Sequence, residues 1–450
     1  MPVSPRSTSE AQAAANRIQP GDEAVHGWYR FVLSFPPHLV RDYLDRFGVD
    51  TRHTVLDPFC GTGTTLVECK KHGIATIGIE ANPMACFAST VKANWDIDPD
   101  GLLGAASEVG EAAEDRLRSE GLDPRQLFSE MVQEPKRLRE LPPESSRLLL
   151  KGSIGPLPLH RTLVLLGAIK AHGDKRYEAH QLLALADALP TSIGNLRFGP
   201  EVGVGRPKLD SPVLASWYAG VRRMAGDLSA VRNYANTPAT VIRGDSRELS
   251  RLLPRASVHA VITSPPYPNE KDYTRIMRLE SVVLGFLTTR AELQALKRGL
   301  LRSNTRNVYK GDDDDLWVDE HPEVRRIADE IERRRVQLGK TSGFERLYPS
   351  VTKLYFGGMK RHLADLRASL RPGARLAYVV GDQASYLRVM IRTGRLIAEI
   401  AESLGYEVLS IDLFRTRLAT ITREQLREEV VVLRWPGQGR GRRPTPELTR

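Results

Sequence analysis

Cysteine is scarce. Cys60, Cys69 and Cys86 are the only three in 450 residues, too few for a disulfide framework and not spaced as a paired metal motif. A reducing compartment is therefore expected, and no metal site. Long apolar runs are missing as well: none nears the ~18 residues that a membrane helix needs, and residues 1–19 lack the apolar centre of a secretory signal. The expectation is a soluble cytoplasmic protein with no membrane partner. The two commonest phosphate cradles are also absent. The turn Gly61-Thr62-Gly63 has no Lys after its second glycine and no third glycine in dinucleotide spacing, which disfavours a triphosphate or pyrophosphate ligand.

What is abundant is positive charge. Lys and Arg number 65 against 55 Asp and Glu, a formal charge of +10 with a pI near 9.5, and this favours a polyanionic partner such as nucleic acid. The length suits two or three domains, and a 41% hydrophobic content is ample for a sizeable core.

Three apolar runs end in carboxylates. Thr54-Val55-Leu56 leads to Asp57 and then to the glycine turn, where Gly61 and Gly63 let the backbone bend sharply and approach a ligand. Asp57 at the strand tip suits a cationic or amine-bearing group. The run at 75–79 ends in Glu80, about 20 residues beyond the turn, where α/β folds hydrogen-bond ribose hydroxyls. The run at 239–242 ends in Gly244-Asp245-Ser246. Together they describe a nucleoside-binding rim.

A fourth run, 258–262, opens into Thr263-Ser264-Pro265-Pro266-Tyr267-Pro268, at the strand end where open α/β sheets bind ligands. The two prolines remove two donors and fix two φ angles, leaving the carbonyls of Ser264 and Pro265 free to accept. Such a loop can stack a planar heterocycle on Tyr267 while the Ser264 oxygen and the Pro265 carbonyl accept both hydrogens of an exocyclic amine. The amine's lone pair is then set for in-line attack on a methyl donor.

DPFCGTGTT, IGIE, VIRGDS and TSPPY, in this order, resemble motifs of the S-adenosylmethionine-dependent amino-methyltransferases of DNA, and SPPY resembles the cytosine-N4 branch. The likeness covers residues 26–95 and 239–435. It implies a Rossmann-like class I methyltransferase, an α/β fold with a doubly wound, mostly parallel seven-stranded sheet. It also implies S-adenosyl-L-methionine as cofactor and double-stranded DNA as substrate with the base flipped out; a restriction or other defence-system partner is left open by the sequence. By the resemblance Asp57, Phe59, Gly61 and Gly63 would bind the cofactor's methionine part, Glu80 its ribose, and Asp245 and Ser246 its adenine. Catalysis would fall to Ser264, Pro265, Pro266 and Tyr267. Ser34 to Pro37 resemble the segment placed against the methionine end. Adenine-N6 is the near alternative; RNA guanine-N2 is another, because DPFCGTGT resembles those enzymes too, though they usually carry Asp before Pro-Pro-Tyr. A degenerate fold that only holds nucleic acid is the non-enzyme reading. Carbon-5 methylation is disfavoured, since it needs a nucleophilic Cys, commonly after Pro, and there is no Pro-Cys pair.

The rest of the chain reads as additions. Residues 1–24 and the Gly/Arg-rich 436–450 read as disordered tails, and the helix through Leu39 to Phe47 as a cap on the sheet or a wall of the cofactor pocket. Residues 96–238 read as a helical insertion, with helices at 102–117, 124–138, 161–172, 177–189 and 211–234, and breaks at 156–158 and 192–200. Its basic residues, among them Lys136, Arg137, Arg139, Lys170, Lys175, Arg176, Arg197, Arg206 and Lys208, make it a candidate DNA-reading subdomain. Residues 288–350 form a second, weakly patterned insertion, in which 302–307 could touch a DNA backbone while the acidic run 312–315 caps a helix, screens a loop or is mobile. A helix at 359–370, a turn at 371–373, a strand at 374–380, a helix at 393–404 and strands at 406–413 and 429–435 complete the pattern.

Overall fold

The structure is a computed structural model that describes residues 20–29, 34–123, 138–199, 201–269, 271–418 and 425–437. Outside them lie most of the two expected tails, the expected helix at 124–138 apart from its last residue, and with it Lys136 and Arg137.

Nine strands form among the described residues: β1 (Thr54–Asp57), β2 (Ala75–Glu80), β3 (Leu196–Phe198), β4 (Val202–Val204), β5 (Ala239–Arg243), β6 (Val258–Thr263), β7 (Leu370–Gly381), β8 (Glu407–Leu418) and β9 (Gln425–Arg434). Seven make one sheet in the order β5-β2-β1-β6-β7-β9-β8. Every neighbouring pair is parallel except the two that β9 makes, with β7 and β8. This is the doubly wound, mostly parallel seven-stranded sheet that the motifs implied.

The sheet is covered on both faces, so its central strands read as almost unbroken apolar runs. Alternate residues go to opposite sides. Val55, Ala260, Ile262, Ala377 and Val379 pack with Leu39, Val40 and Leu44 of the helix Pro37–Phe47. Leu56, Val261, Leu376, Tyr378 and Val380 pack with Tyr355, Phe356 and Met359 of Gly343–Leu366 and with Leu396 and Ile397 of Thr393–Ser403. Helix Pro37–Phe47 is bounded by ordinary means: Pro37 at its first position, where no N–H is missed, and Gly48 in the left-handed region at φ 65°.

The long insertion is mainly helical where described, with Pro99–Ser119, Pro156–His172, Glu178–Ala188 and Val213–Val231 as its longer helices. Their apolar cluster runs without a break into Met84, Met277, Leu279 and Val282, outside the insertion, and takes in Trp28 near the N-terminus. Asp227 holds that N-terminal segment in place. Its Oδ2 accepts from the Val25 backbone N–H at 2.9 Å and from Trp28 Nε1 at 2.8 Å.

Several local expectations need correction. Pro156 to Pro158 do not break a helix but open one, since a proline in the first turn forfeits no hydrogen bond. Two short strands, β3 and β4, pair as an antiparallel ribbon where only a break was expected. The helix expected at 359–370 begins at Gly343, capped by Ser342, and ends at Leu366; its first turns carry Pro349 and polar residues that hid the periodicity. The turn at 371–373 lies inside β7 as an irregularity, with Gly373 at φ 86° and the register jumping from Leu370 opposite Val258 to Arg375 opposite Ala260. Residues 302–307 are not a surface loop facing phosphates: Arg302, Ser303, Asn304, Thr305 and Asn307 are buried.

Replacing Asp227 with Ala strips two donors of a charged acceptor, Trp28 Nε1 and the Val25 N–H. Asp227→Ala should lower stability by about 1.5–3 kcal/mol, read as a fall in the urea midpoint. An unchanged midpoint would show that this tether contributes nothing.

Candidate active site

The two motif loops leave the sheet side by side because their strands are hydrogen-bonded neighbours, with Val55 opposite Ala260 and Leu56 opposite Val261. A buried hydrogen bond joins their tips: Thr263 Oγ1 donates to Asp57 Oδ1 at 2.6 Å, and the Phe59 backbone N–H donates to the same oxygen at 3.1 Å. Thr65, at the start of the following helix, donates to the Ile262 carbonyl at 3.1 Å. A cavity of about 360 Å³ opens above these strand ends. Ser34 to Pro36, Phe59, Gly61, Glu80, Asp245, Ser246 and Ser264 to Tyr267 all line it.

Asp57 and Gly63, expected beside the others, do not form its wall. Asp57 is fully buried beneath the loop, and its Oδ2 has no hydrogen-bond partner among the described residues. Burial pushes its carboxyl up to about 6, against the hydrogen bonds that pull it down. Gly63 caps the helix Thr64–Lys71 at φ 87°, where an added Cβ would press on Ser89 at 3.2 Å. Gly61, at φ 51°, has open space where its Cβ would be, so it keeps the cavity clear.

Glu80 is held from below. Its Oε2 accepts from the Gly61 N–H at 2.9 Å and its Oε1 from the Asn82 N–H at 2.7 Å. No cation pairs with it among the described ion pairs, and burial pushes it up to about 7. The remaining lone pairs of an aimed carboxylate suit a diol.

Asp245 lines the cavity with its charge already answered: Arg247 grips it through Nε at 3.0 Å and Nη2 at 2.6 Å, and also pairs with buried Asp314. Ser246 donates to the Pro58 carbonyl, which ties the third strand's loop to the glycine turn. His362, wholly buried, completes this corner. Its Nδ1 lies 2.7 Å from the Ser246 carbonyl and its Nε2 2.7 Å from Tyr378 Oη, while its ring meets Phe59 edge-on at 4.9 Å. Burial pushes it down to about 4, so it is neutral, with Nδ1–H donating and Nε2 accepting. Sequence reading missed His362, Arg247 and Asp314, because nothing local to a helical His or an acidic run signals a partner so far along the chain.

On the other wall, the Ser264 hydroxyl donates to the Val379 carbonyl at 3.2 Å, which leaves the oxygen's lone pairs to accept. The Tyr267 N–H donates to Tyr273 Oη at 3.4 Å, and its ring lies against Gly381, where a Cβ would meet Cε2 at 3.1 Å. Burial raises the Tyr267 phenol, so it stays protonated. The helix Pro37–Phe47 resolves its two expected roles: it caps the sheet, while the residues before it, Ser34 to Pro36, supply the wall.

Comparison with known proteins agrees with this arrangement. A family described as DNA methylase, of the N6/N4 type, matches residues 10–90. The Type II methyltransferase M.BsoBI of Geobacillus stearothermophilus is 23% identical over 92% of this chain and 84% of its own length. M.MjaII of Methanocaldococcus jannaschii is 41% identical over 15% of this chain and 13% of its own, and M.AvaI of Nostoc sp. is 27% identical over 39% and 38%. The family match, the relative aligned along most of the chain and the motifs meeting in one cavity all make the chain similar to the DNA amino-methyltransferases of the N6/N4 kind.

Proposed function

We propose that the protein methylates the exocyclic amine of a base flipped out of double-stranded DNA, cytosine N4 in a specific sequence, with S-adenosyl-L-methionine as donor. The observation that carries this reading is the single cavity shared by the glycine turn and the Ser264 to Tyr267 loop. Its donor set fits the cofactor: Glu80 offers aimed acceptors for ribose hydroxyls, and the desolvated carboxylate of Asp57 favours a cation nearby. Phe59, Gly61 and the Asp245-Ser246 corner would hold the remainder, with Gly63 shaping the turn. When bound, this cofactor supplies an electrophilic methyl group.

The chain's own part is positioning. The Tyr267 face receives the flipped ring by stacking. Ser264, its proton committed to the Val379 carbonyl, accepts one amine hydrogen, and the Pro265 carbonyl accepts the other. Both interactions draw the nitrogen's lone pair out of ring conjugation, and Pro266 keeps the loop from relaxing. Ser264, where Asp would stand in the alternative motif, is the residue that favours cytosine. Because the relatives named above are Type II methyltransferases, modification that protects DNA beside a restriction nuclease is the setting we infer.

Labelled methyl transfer to DNA followed by nucleoside analysis tests the reading; N4-methylcytosine is expected, and N6-methyladenine would overturn the base assignment. Tyr267→Ala should abolish transfer while leaving cofactor affinity nearly unchanged, and full activity would remove the stacking role. Glu80→Ala should weaken cofactor binding by about 1.5–3 kcal/mol. Since Glu80 is protonated below about 7 and its ionised form is the better acceptor, affinity should rise as pH rises through that value. At pH 6 it should be up to about tenfold weaker than at pH 8, and Glu80→Gln should flatten the profile; a flat wild-type profile would displace Glu80 from the ribose.

A further inference from the structure

One wall of the cavity comes from a stretch that no motif covers. Residues 302–307 hold five buried polar side chains, with Arg302 4% exposed, Ser303 1%, Asn304 0%, Thr305 3% and Asn307 1%. Burying so many polar groups in an irregular segment is costly unless they are satisfied, and much of the satisfaction is visible. Arg302 forks onto Asp312 at 2.9 and 2.7 Å and caps the carbonyls of Lys297 and Arg298 at 3.1 Å. Tyr386 Oη donates to the Ser303 carbonyl at 3.2 Å, and Asn304 Nδ2 donates to the Lys271 carbonyl at 3.1 Å. The segment is therefore fixed from both ends.

Asn304 and Asn307 each keep a buried Oδ1 with no hydrogen-bond partner among the described residues. Of the two, Asn307 lines the cavity, together with Ser303, Ser264 and Tyr267. A buried carboxamide whose acceptor is unspent by the protein, in the wall of a ligand cavity, is a recognition group waiting for its ligand. The half-turn of the planar amide about its last side-chain bond lets either end face the cavity.

We propose that Asn307 is a specificity-determining residue that hydrogen-bonds the flipped base: its Nδ2 donates to the acceptor edge beside the amine, N3 and O2 of a cytosine. This rests on the base-flipping reading above and deepens it. Ser264 and Pro265 present only acceptors, which recognise an amine but not the ring that bears it. A donor set against them completes a pattern of two acceptors and one donor that matches the edge of cytosine.

The isosteric change Asn307→Asp is the test, because it keeps the shape and replaces the donor with an acceptor facing acceptors. Cofactor affinity by calorimetry, steady-state methylation of DNA with labelled S-adenosylmethionine, and the thermal midpoint are measured on the full chain, beside Asn307→Ala. The expected result for the Asp variant is a fall in kcat/KM for DNA of roughly ten- to a hundredfold, with cofactor affinity and midpoint near wild type. The Ala variant should fall less than the Asp variant, since it removes the donor without adding repulsion. Wild-type turnover in the Asp variant would overturn the proposal, as would a loss accounted for by weaker cofactor binding, which would move Asn307 to the other ligand. A wild-type protein that binds the cofactor yet methylates no DNA would instead sink the functional reading itself, and the proposal with it.

Discussion

The buried hydrogen bond from Thr263 to Asp57 is the contact on which the site's geometry depends. It lies where two neighbouring parallel strands end, and it locks the residue before the double-proline corner to the residue before the glycine turn. Strand spacing alone, about 4.8 Å, brings the loops into range; the hydrogen bond removes the freedom that would let them drift. An ionised carboxylate in that place is costly to bury, and the raised titration of Asp57 records the cost. The fold tolerates it because the same group organises both walls of the cavity.

A second layer of buried polar contacts repeats this design farther from the sheet. His362 reaches from the long helix to fix the Ser246 carbonyl and the Phe59 ring together, and Arg247 joins Asp245 to Asp314 in a segment that follows the double-proline loop. Through these the stretch after the double-proline corner becomes part of the site. The helical insertion is likewise bound in, since its apolar cluster continues into Met277 and Leu279 rather than closing on itself.

How much of this was legible in the sequence follows from the range of each interaction. β1 and β6 could be read because strands buried on both faces must be apolar throughout, the half-exposed β2 and the edge strand β5 from their short β-branched runs, and the tips because Asp57, Glu80, Asp245 and Ser264 follow closely. The seven-stranded, mostly parallel sheet came through the family likeness, and its strand order was not read, since no local pattern fixes which strand lies beside which. Residues 302–307 were misjudged for a physical reason: a polar run reads as a solvated surface unless its partners, Asp312, Tyr386 and Lys271, are known to converge on it. The start of the long helix at Gly343 was obscured by Pro349, although a proline near a helix start does little harm.

The reversed direction of β9 has a practical side. Arg434 sits opposite Glu407, where β8 begins, and Arg375, just past the irregularity in β7, and Trp435 exchanges hydrogen bonds with Gly373 and Ala374. The described chain thus departs from the floor of the sheet, whereas the cavity opens at its roof. A fluorophore or surface anchor attached just beyond residue 437 would start its path a full strand length away from the entrance, which makes that position the natural handle for immobilising the enzyme with its mouth turned outward.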